Sequence, residues 1–307
     1  MNWDKIRNPE MREFIKNDVF GRSFLSARNP DYFRYVDPNV SGSGVGTSWD
    51  TAFKTITEGI TELNTMSGKG ATLFVAPGFY MEEDGIELSA NDCAIVAVGL
   101  PEDTVLFGTG TAGEVAAADD HLLKISGGNN YIAGLSFYVH KDDKSSIIFD
   151  DTGAGYHGSF NIIENCYFSP QAQDGAGYGI YFDGGNCNII KSCKFEGAKV
   201  AGIYVAGNVG NPSRNEIKDN WICGTAVGIK VASACYNLLL KGNIYAVGSL
   251  TNENMADGDC VDITAGFTAG LVLSVDERFQ KDSEAKAYTN GGAGDLIVVN
   301  PLYGSSV

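Results

Sequence analysis

Short segments with alternating apolar and polar residues recur along the middle of the chain. NIIENCYF, NIIKSCKF and NEIKDNWI begin at Asn161, Asn188 and Asn215, each 27 residues after the last, and NLLLKGNI begins at Asn237. Because apolar side chains alternate at a period of two, each segment is predicted to contain short strands with one buried face. Repetition at such a period is typical of stacked supersecondary units.

Alignment of the repeats on their Asn residues separates inward from outward positions. One column of apolar side chains is predicted to contain Ile163, Ile190, Ile217 and Leu239. A further column contains Cys166, Cys193, Asn220 and Gly242. A second strand of each unit (SIIFDD, GIYFDG, GIYVAG, GIKVAS) is predicted to bury Ile147, Phe149, Ile180, Phe182, Ile203, Val205, Ile229 and Val231.

These patterns predict an all-β fold. No segment between the strands is long and amphipathic enough for a crossover helix, so βαβ folds and leucine-rich repeats fit poorly. A parallel β-helix fits, with about eight coils stacked ~4.8 Å apart between Leu73 and Val275. The Asn column is expected to hydrogen-bond amide to amide along the axis.

One helix is predicted before the first coil, because a rod of stacked strands needs its end covered. SWDTAFKTITEGITEL has apolar residues at helical spacing and a Ser48 or Asp50 cap. We expect a capping helix near residues 50–64.

The opening of this region resembles a known superfamily. YVDPNVSGSGVGTSWDTAFKTITEGI followed by GATLFVAPGFY, together with the Asn-led coils, is similar to right-handed β-helix proteins of the pectate-lyase-like superfamily, including phage-type virion proteins. The resemblance covers about residues 35–275 and implies a right-handed, single-stranded parallel β-helix. Function is left open, because that superfamily contains lyases, hydrolases, epimerases and catalytically silent virus spikes.

Charge narrows the choice of partners. A formal net charge of −16 argues against nucleic acid, and no apolar run approaches the ~20 residues of a membrane span.

Seven cysteines without a C-x-x-C pair indicate free thiols rather than disulfides or a metal site. We therefore expect no metal and no cofactor.

The charge is also uneven along the chain. Residues 1–34 carry seven basic and five acidic residues, a net of +2, whereas the remainder has 15 basic and 33 acidic residues, a net of −18. We expect residues 1–34 to be an attachment arm, residues 35–275 the β-helix, and residues 276–307 a C-terminal tail. The arm is predicted to dock on a partner through an apolar stripe at roughly helical spacing: Ile6, Met11, Phe14, Ile15, Val19 and Phe20.

Candidate catalytic groups are few. MADGDCVDITAG contains Asp257, Asp259 and Asp262 and is similar to the acidic coil of polygalacturonases. That family also needs a later His and an Arg-x-Lys segment, but every His lies upstream and the only later Arg is Arg278. The segment is therefore interpreted as an acidic turn. Asp150 and Asp183, one coil apart, are a weak cation-binding signal.

Outward aromatic residues offer a contact surface. Tyr181 and Tyr204 are predicted to stack in a column with Ile148 and Lys230, and a further column contains Tyr167, Lys194 and Trp221. Aromatic faces can stack on sugars or bury against another subunit, and the subunit contact is favoured.

We therefore predict a non-enzymatic structural virion protein of a phage: a capsid decoration, a capsid protrusion or a tail spike. The absence of a secretion signal in the first 20 residues favours this reading, since lysis would release such a protein. Expected partners are two further copies in a homotrimer, other virion proteins bound through residues 1–34 and 276–307, and host-surface glycan. Two alternatives remain: a polysaccharide depolymerase acting through carboxylates on the rod, and a glycan-binding module without turnover.

Overall fold

Parallel strands make up nearly all of the structure, which is a computed structural model. It describes residues 29–82, 85–108, 121–139, 145–150, 158–169, 177–198, 200–207, 210–247, 259–264, 267, 269–281 and 288–303. The described strands form three sheets, which we call A, B and C.

Each sheet takes one strand from nearly every coil. Sheet A contains β1 Phe33–Val36, β2 Thr72–Val75, β5 Ala94–Ala97, β8 Tyr131–Ala133, β11 Ile162–Glu164, β14 Ile189–Lys191, β17 Glu216–Lys218, β20 Cys235–Lys241, β23 Gly270–Val275 and β26 Asp295–Val299. Sheet B contains β3 Gly78–Glu82, β6 Thr104–Gly108, β9 Ser136–Tyr138, β12 Tyr167–Phe168, β15 Lys194–Glu196, β18 Trp221–Cys223, β21 Ile244–Val247, β24 Arg278–Lys281 and β27 Leu302–Tyr303. Sheet C contains β4 Ile86–Leu88, β7 His121–Ile125, β10 Ser145–Phe149, β13 Tyr178–Phe182, β16 Ala201–Val205, β19 Ile229–Val231, β22 Val261–Ile263 and β25 Tyr288–Asn290.

Neighbouring strands within a sheet are parallel and belong to successive coils. The chain visits A, then B, then C in each complete coil, which is the path of a parallel β-helix and confirms the predicted fold class. Among the described residues, eight strands of sheet A, β2 through β23, lie between residues 72 and 275, in agreement with the predicted number of coils.

The interior is filled by columns of like residues. All eight side chains predicted to point inward from sheet C are at most 1 % exposed. Phe137, Phe168 and Phe195 stack in sheet B with ring centroids 5.1 and 4.6 Å apart. Each buried side chain of this size contributes roughly 1.5–3 kcal/mol to stability, so repetition of one core position stabilises successive coils alike.

The Asn column stabilises a turn, although by a different bonding pattern from the one predicted. The backbone N–H of Asn130 donates to Asn161 Oδ1 at 2.9 Å, Asn161 donates to Asn188 at 2.8 Å, and Asn188 donates to Asn215 at 2.8 Å. The Asn161 side-chain amide donates to the Gly127 carbonyl of the preceding coil at 3.2 Å. Each side chain thus bonds to main chain, which leaves few buried backbone groups unpaired.

The fourth repeat was aligned one residue out of register. Ile217 pairs with Leu240 rather than with Leu239, and Asn237 is exposed with a φ of 59°. The continuous register from Ser213↔Tyr236 to Glu216↔Leu239 places Leu238, not Asn237, opposite Asn215. Asn237 instead takes the left-handed turn position that Arg214 holds in the preceding coil.

The capping helix is present, but it begins later than predicted. Helix α1 spans Ile56–Thr65 and is capped by Thr55, not by Ser48 or Asp50. Thr55 Oγ1 accepts from the Glu58 N–H at 3.2 Å while Glu58 Oε2 accepts from the Thr55 N–H at 3.0 Å, a capping box. Trp49–Thr51 is instead a 3₁₀ turn, and two others are Pro30–Tyr32 and Pro101–Asp103.

The helix packs tightly on the first coil. Its buried face includes Gly59, where an added Cβ would lie 2.7 Å from the side chains of both Val36 and Leu73. A larger residue there would separate the helix from strands β1 and β2. The buried carboxyl of Glu82 accepts from the Ile56 N–H at 3.0 Å, so strand β3 is also tied to the start of the helix.

The described strands extend past both predicted domain boundaries. β1 begins at residue 33 and pairs with β2, so the β-helix starts before the predicted end of the arm at residue 34. Beyond residue 275, β24, β25, β26 and β27 each extend an existing sheet, so this part is further coil rather than a separate tail. The apolar stripe Ile6, Met11, Phe14, Ile15 and Phe20 lies outside the described residues.

Candidate functional site

The outer face of sheet C presents one continuous column of side chains. Parallel pairing places one outward residue of each strand directly beside the next. From the helix-capped end, the outer column contains Glu87, Lys124, Ile148, Tyr181, Tyr204, Lys230, Asp262 and Thr289. The two-residue period of a strand produces this column, because from Glu87 to Asp262 the residues on either side of each member are buried in the core.

Aromatic rings occupy the middle of the column. Tyr178 stacks on Tyr204 with ring centroids 4.6 Å apart and planes 8° apart, and Tyr181 meets Tyr204 edge-on at 5.2 Å. Lys230 Nζ lies 5.9 Å from the centre of the Tyr204 ring. Burial raises the pKa of both Tyr178 and Tyr204, so these phenols are neutral at ordinary pH. The three rings, which we call the tyrosine platform, form a half-buried surface.

Acidic groups lie at the C-terminal end of the column. Burial raises the pKa of Asp262, Lys230 lowers it and Asp259 raises it. Asp259 Oδ2 accepts a hydrogen bond from Thr289 Oγ1 at 2.6 Å. The structure thus brings the predicted Asp259 and Asp262 close to each other, while Asp257 lies outside the described residues.

A second charged group lies at the N-terminal end. Lys124 Nζ is 2.5 Å from Asp150 Oδ2 and 3.9 Å from Glu87 Oε1. Glu87 Oε1 also accepts from Ser126 Oγ at 2.5 Å. Asp150, read from sequence as part of a weak cation signal with Asp183, therefore has a lysine as its partner. Within the described ranges, no group of three or more His, Cys, Asp or Glu is arranged to hold a metal ion.

The predicted contact residues are divided between two faces. Tyr181 and Tyr204 lie on sheet C, whereas Tyr167 and Trp221 lie on sheet B, each in register with Lys194. Sequence analysis missed Tyr178, because the repeat frame was started at Gly179, one residue too late. It also missed the pairing of Lys124 with Asp150, because the repeat pattern predicts outward positions on the strands but not the contacts of a residue that follows a strand, as Asp150 follows β10.

Across the part of the chain that the structure describes, no helix has the length and apolar character needed to cross a membrane.

The three parallel sheets, each with one strand in every complete coil, define the fold as a right-handed parallel β-helix. The family model described as "Right handed beta helix region" matches residues 122–266. No curated protein matches the chain.

Solved structures show the same fold at low sequence identity. An alginate lyase from Paenibacillus sp. str. FPU-7 is 16% identical with a TM-score of 0.57, over 80% of this chain and 94% of that one. A pectin methylesterase from carrot is 8% identical with a TM-score of 0.57, over 89% and 83%. The pectin methyl esterase of the rice weevil is 8% identical with a TM-score of 0.53, over 94% and 95%. Identities this low establish the fold alone.

Proposed function

We propose that this chain is a non-enzymatic β-helix protein of a virion that binds host-surface glycan along the outer face of sheet C. The tyrosine platform is the observation that carries the proposal. Flat aromatic faces with polar neighbours suit sugar rings, whose C–H groups pack on the π face while their hydroxyls bond to side chains at the edge. The ammonium group of Lys230, which lies beside Tyr204, supplies a hydrogen-bond donor for a sugar hydroxyl.

The length of the column suits a polymer. Eight described strands of sheet C have seven intervals between them, which at ~4.8 Å each give a column roughly 34 Å long. Polar residues at both ends and rings in the middle would let several consecutive sugars contact one face. A polymeric ligand fits this open column better than a small molecule, which usually binds in a concave pocket.

Binding without cleavage is supported by the partners of the charged groups. A general base must be able to reach its substrate. Lys124 is instead ion-paired with the buried Asp150, and Asp259 accepts from Thr289.

A binding assay tests the role of the platform. The double variant Tyr181→Ala/Tyr204→Ala should weaken binding to a host-surface polysaccharide by tenfold or more, because each ring supplies on the order of 1 kcal/mol of contact. Ile189→Ala, on the outer face of sheet A, is the matched control and should bind as the parent does. Equal affinity of the double variant and the parent would remove the platform from the proposal.

Virion attachment rests on the contrast in charge between residues 1–34 and the rest of the chain, and on the sequence resemblance to a superfamily that includes phage-type virion proteins. Assembly as a homotrimer belongs to the same proposal. Mass spectrometry of purified virions should find the chain, and native mass measurement should find three copies together. A monomer absent from particles would contradict both parts.

A depolymerase is the second candidate, favoured by the nearness of Asp259 to Asp262 and the raised pKa of Asp262. A carboxyl with a raised pKa is better suited to act as a general acid than an ordinary aspartate is. The alginate lyase and the pectin methylesterases with this fold act on polysaccharides, as their names state. New reducing ends or unsaturated products, lost in Asp259→Asn/Asp262→Asn, would establish this candidate and exclude binding without turnover.

A further inference from the structure

A groove on a different face of the rod carries a separate arrangement of groups. It has a volume of about 450 Å³ and is lined by Glu102, Tyr167, Lys194, Asp219 and Trp221, among others. Tyr167, Lys194 and Trp221 come from three consecutive strands of sheet B. The volume lies within the usual range for sites that hold a small ligand.

The floor of the groove is held in place by a network of bonds. Tyr167 Oη donates to Glu196 Oε2 at 2.7 Å, and Lys194 Nζ lies 2.8 Å from the same oxygen. Lys194 Nζ also lies 4.8 Å from the Tyr167 ring centre and 5.6 Å from that of Trp221. The ion pair raises the pKa of Lys194 and lowers that of Glu196. Both groups are therefore charged at neutral pH and are fixed before any ligand arrives, which lowers the entropy cost of binding.

Trp221 is the accessible ring of this groove. Its side chain is 51 % exposed, whereas Tyr167 is half-buried against its neighbours. An indole this exposed on a strand is not explained by the core, because Ile222 beside it fills the interior. Its free face can stack on a ligand.

The remaining charges of the groove determine which kind of ligand it can bind. Glu196 offsets the charge of Lys194, so the exposed carboxylates of Glu102 and Asp219 leave the groove net negative. Asp219 sits in a left-handed turn with a φ of 55°. Its Oδ1 would lie 2.6 Å from a Cβ added at Gly242, so glycine in the next coil leaves room for this carboxylate. An acidic ligand would be repelled, while hydroxyl and ammonium donors would be accepted.

We propose that this groove is a second carbohydrate subsite, separate from the column on sheet C, which takes oligosaccharides of neutral and amino sugars and rejects uronic acids. A sugar ring stacks on Trp221, and its hydroxyl or ammonium groups donate to Asp219 and Glu102. The subsite lies on sheet B, so it stands or falls independently of the tyrosine platform.

Titration with defined oligosaccharides tests this subsite. Chitosan pentamer and cellopentaose should bind with saturable heat release and a change in tryptophan fluorescence, whereas a galacturonic acid pentamer should bind at least tenfold more weakly. Trp221→Ala should weaken chitosan-pentamer binding tenfold or more. Asp219→Asn should weaken chitosan pentamer more than cellopentaose, because only the amino sugar is charged.

Two controls separate this subsite from others. Tyr236→Ala removes an aromatic ring of similar exposure, 44 %, from sheet A and should leave binding unchanged. Tyr181→Ala/Tyr204→Ala should also leave pentamer binding at the groove unchanged. Unaltered binding in folded Trp221→Ala, or tighter binding of the galacturonic acid pentamer than of chitosan pentamer, would overturn the proposal, as would no binding of either favoured sugar.

Discussion

At the residue scale, the stability of the stacked turns depends on which buried polar atoms have hydrogen-bond partners inside the rod. The second Asn column continues from Cys193 through Asn220 and Asn243 and then ends on Glu277, whose Oε1 accepts from the Asn243 side-chain amide at 3.1 Å. Glu277 Oε2 and the Tyr245 hydroxyl are buried without a hydrogen bond of good geometry to described residues, although they lie close enough to affect each other's pKa. A carboxyl thus replaces an amide in this buried column.

Glu277 predicts a pH-dependent loss of stability. Burial raises its pKa to about 7 from the ordinary value of 4.5, while Tyr245 and Asn243 lower it. The folded state therefore binds the proton more tightly than the unfolded state does. Protonated Glu277 therefore contributes its full stabilisation below pH 4.5. As the pH rises from 4.5 to 7, the free energy of unfolding should fall by about 3 kcal/mol.

Denaturant unfolding between pH 4 and 8 measures this effect. Glu277→Gln keeps an acceptor for Asn243 and carries no charge, so its free energy of unfolding should fall less than that of the parent over this range. Asp276→Asn, at an exposed neighbouring position, should follow the parent. Parallel curves for the parent and Glu277→Gln would mean that Glu277 does not hold its proton in the folded rod.

At the element scale, a strong local signal decides where the cap begins. The Thr55–Glu58 capping box, and not Ser48 or Asp50, sets the start of α1. The start was misjudged because several polar residues precede the apolar stripe, and only the bonds made in the folded state distinguish between them. The Ile and Phe columns could be predicted, because burial of one face imposes a period of two. The register of the fourth repeat could not, because Leu238 replaces the column Asn there and Asn237, one residue earlier, imitates it.

Loss of the capping box should weaken the end of the rod. Thr55→Ala removes the acceptor of the Glu58 N–H and should lower the free energy of unfolding by about 1 kcal/mol. Thr61→Ala is the control on the exposed face of the same helix, where alanine should be neutral or slightly stabilising. Thermal melting of both variants measures the difference. Equal melting temperatures would show that the box does not limit stability.

At the scale of the whole molecule, one rod carries two chemically different faces. The tyrosine platform lies on sheet C and the Trp221 groove on sheet B, and both depend on coils being stacked in register. The repeats identified these outward columns, but sequence could not show which rings would meet. Tyr178, two residues before Ile180, reaches Tyr204 only because adjacent coils pair directly.

Continuity of the sheets predicts what truncation would do. Ending the chain after Val275 removes strands β24 to β27 and exposes the edges of β21, β22 and β23. Such unpaired edges favour aggregation, so this variant should melt at a lower temperature and associate. Ending the chain after Asn300 removes only β27 and should have a smaller effect. A stable, monodisperse protein ending at residue 275 would restore the idea of a separate tail.

Affinity electrophoresis in gels that contain a host-surface polysaccharide tests the central claim most directly. The parent protein should be retarded relative to a plain gel, and the polysaccharide stain should stay uniform along its path. Tyr181→Ala/Tyr204→Ala should migrate as it does in the plain gel, while Ile189→Ala should be retarded like the parent. Equal migration of the double variant and the parent, or a cleared band in the stain, would contradict glycan binding without cleavage on the tyrosine platform.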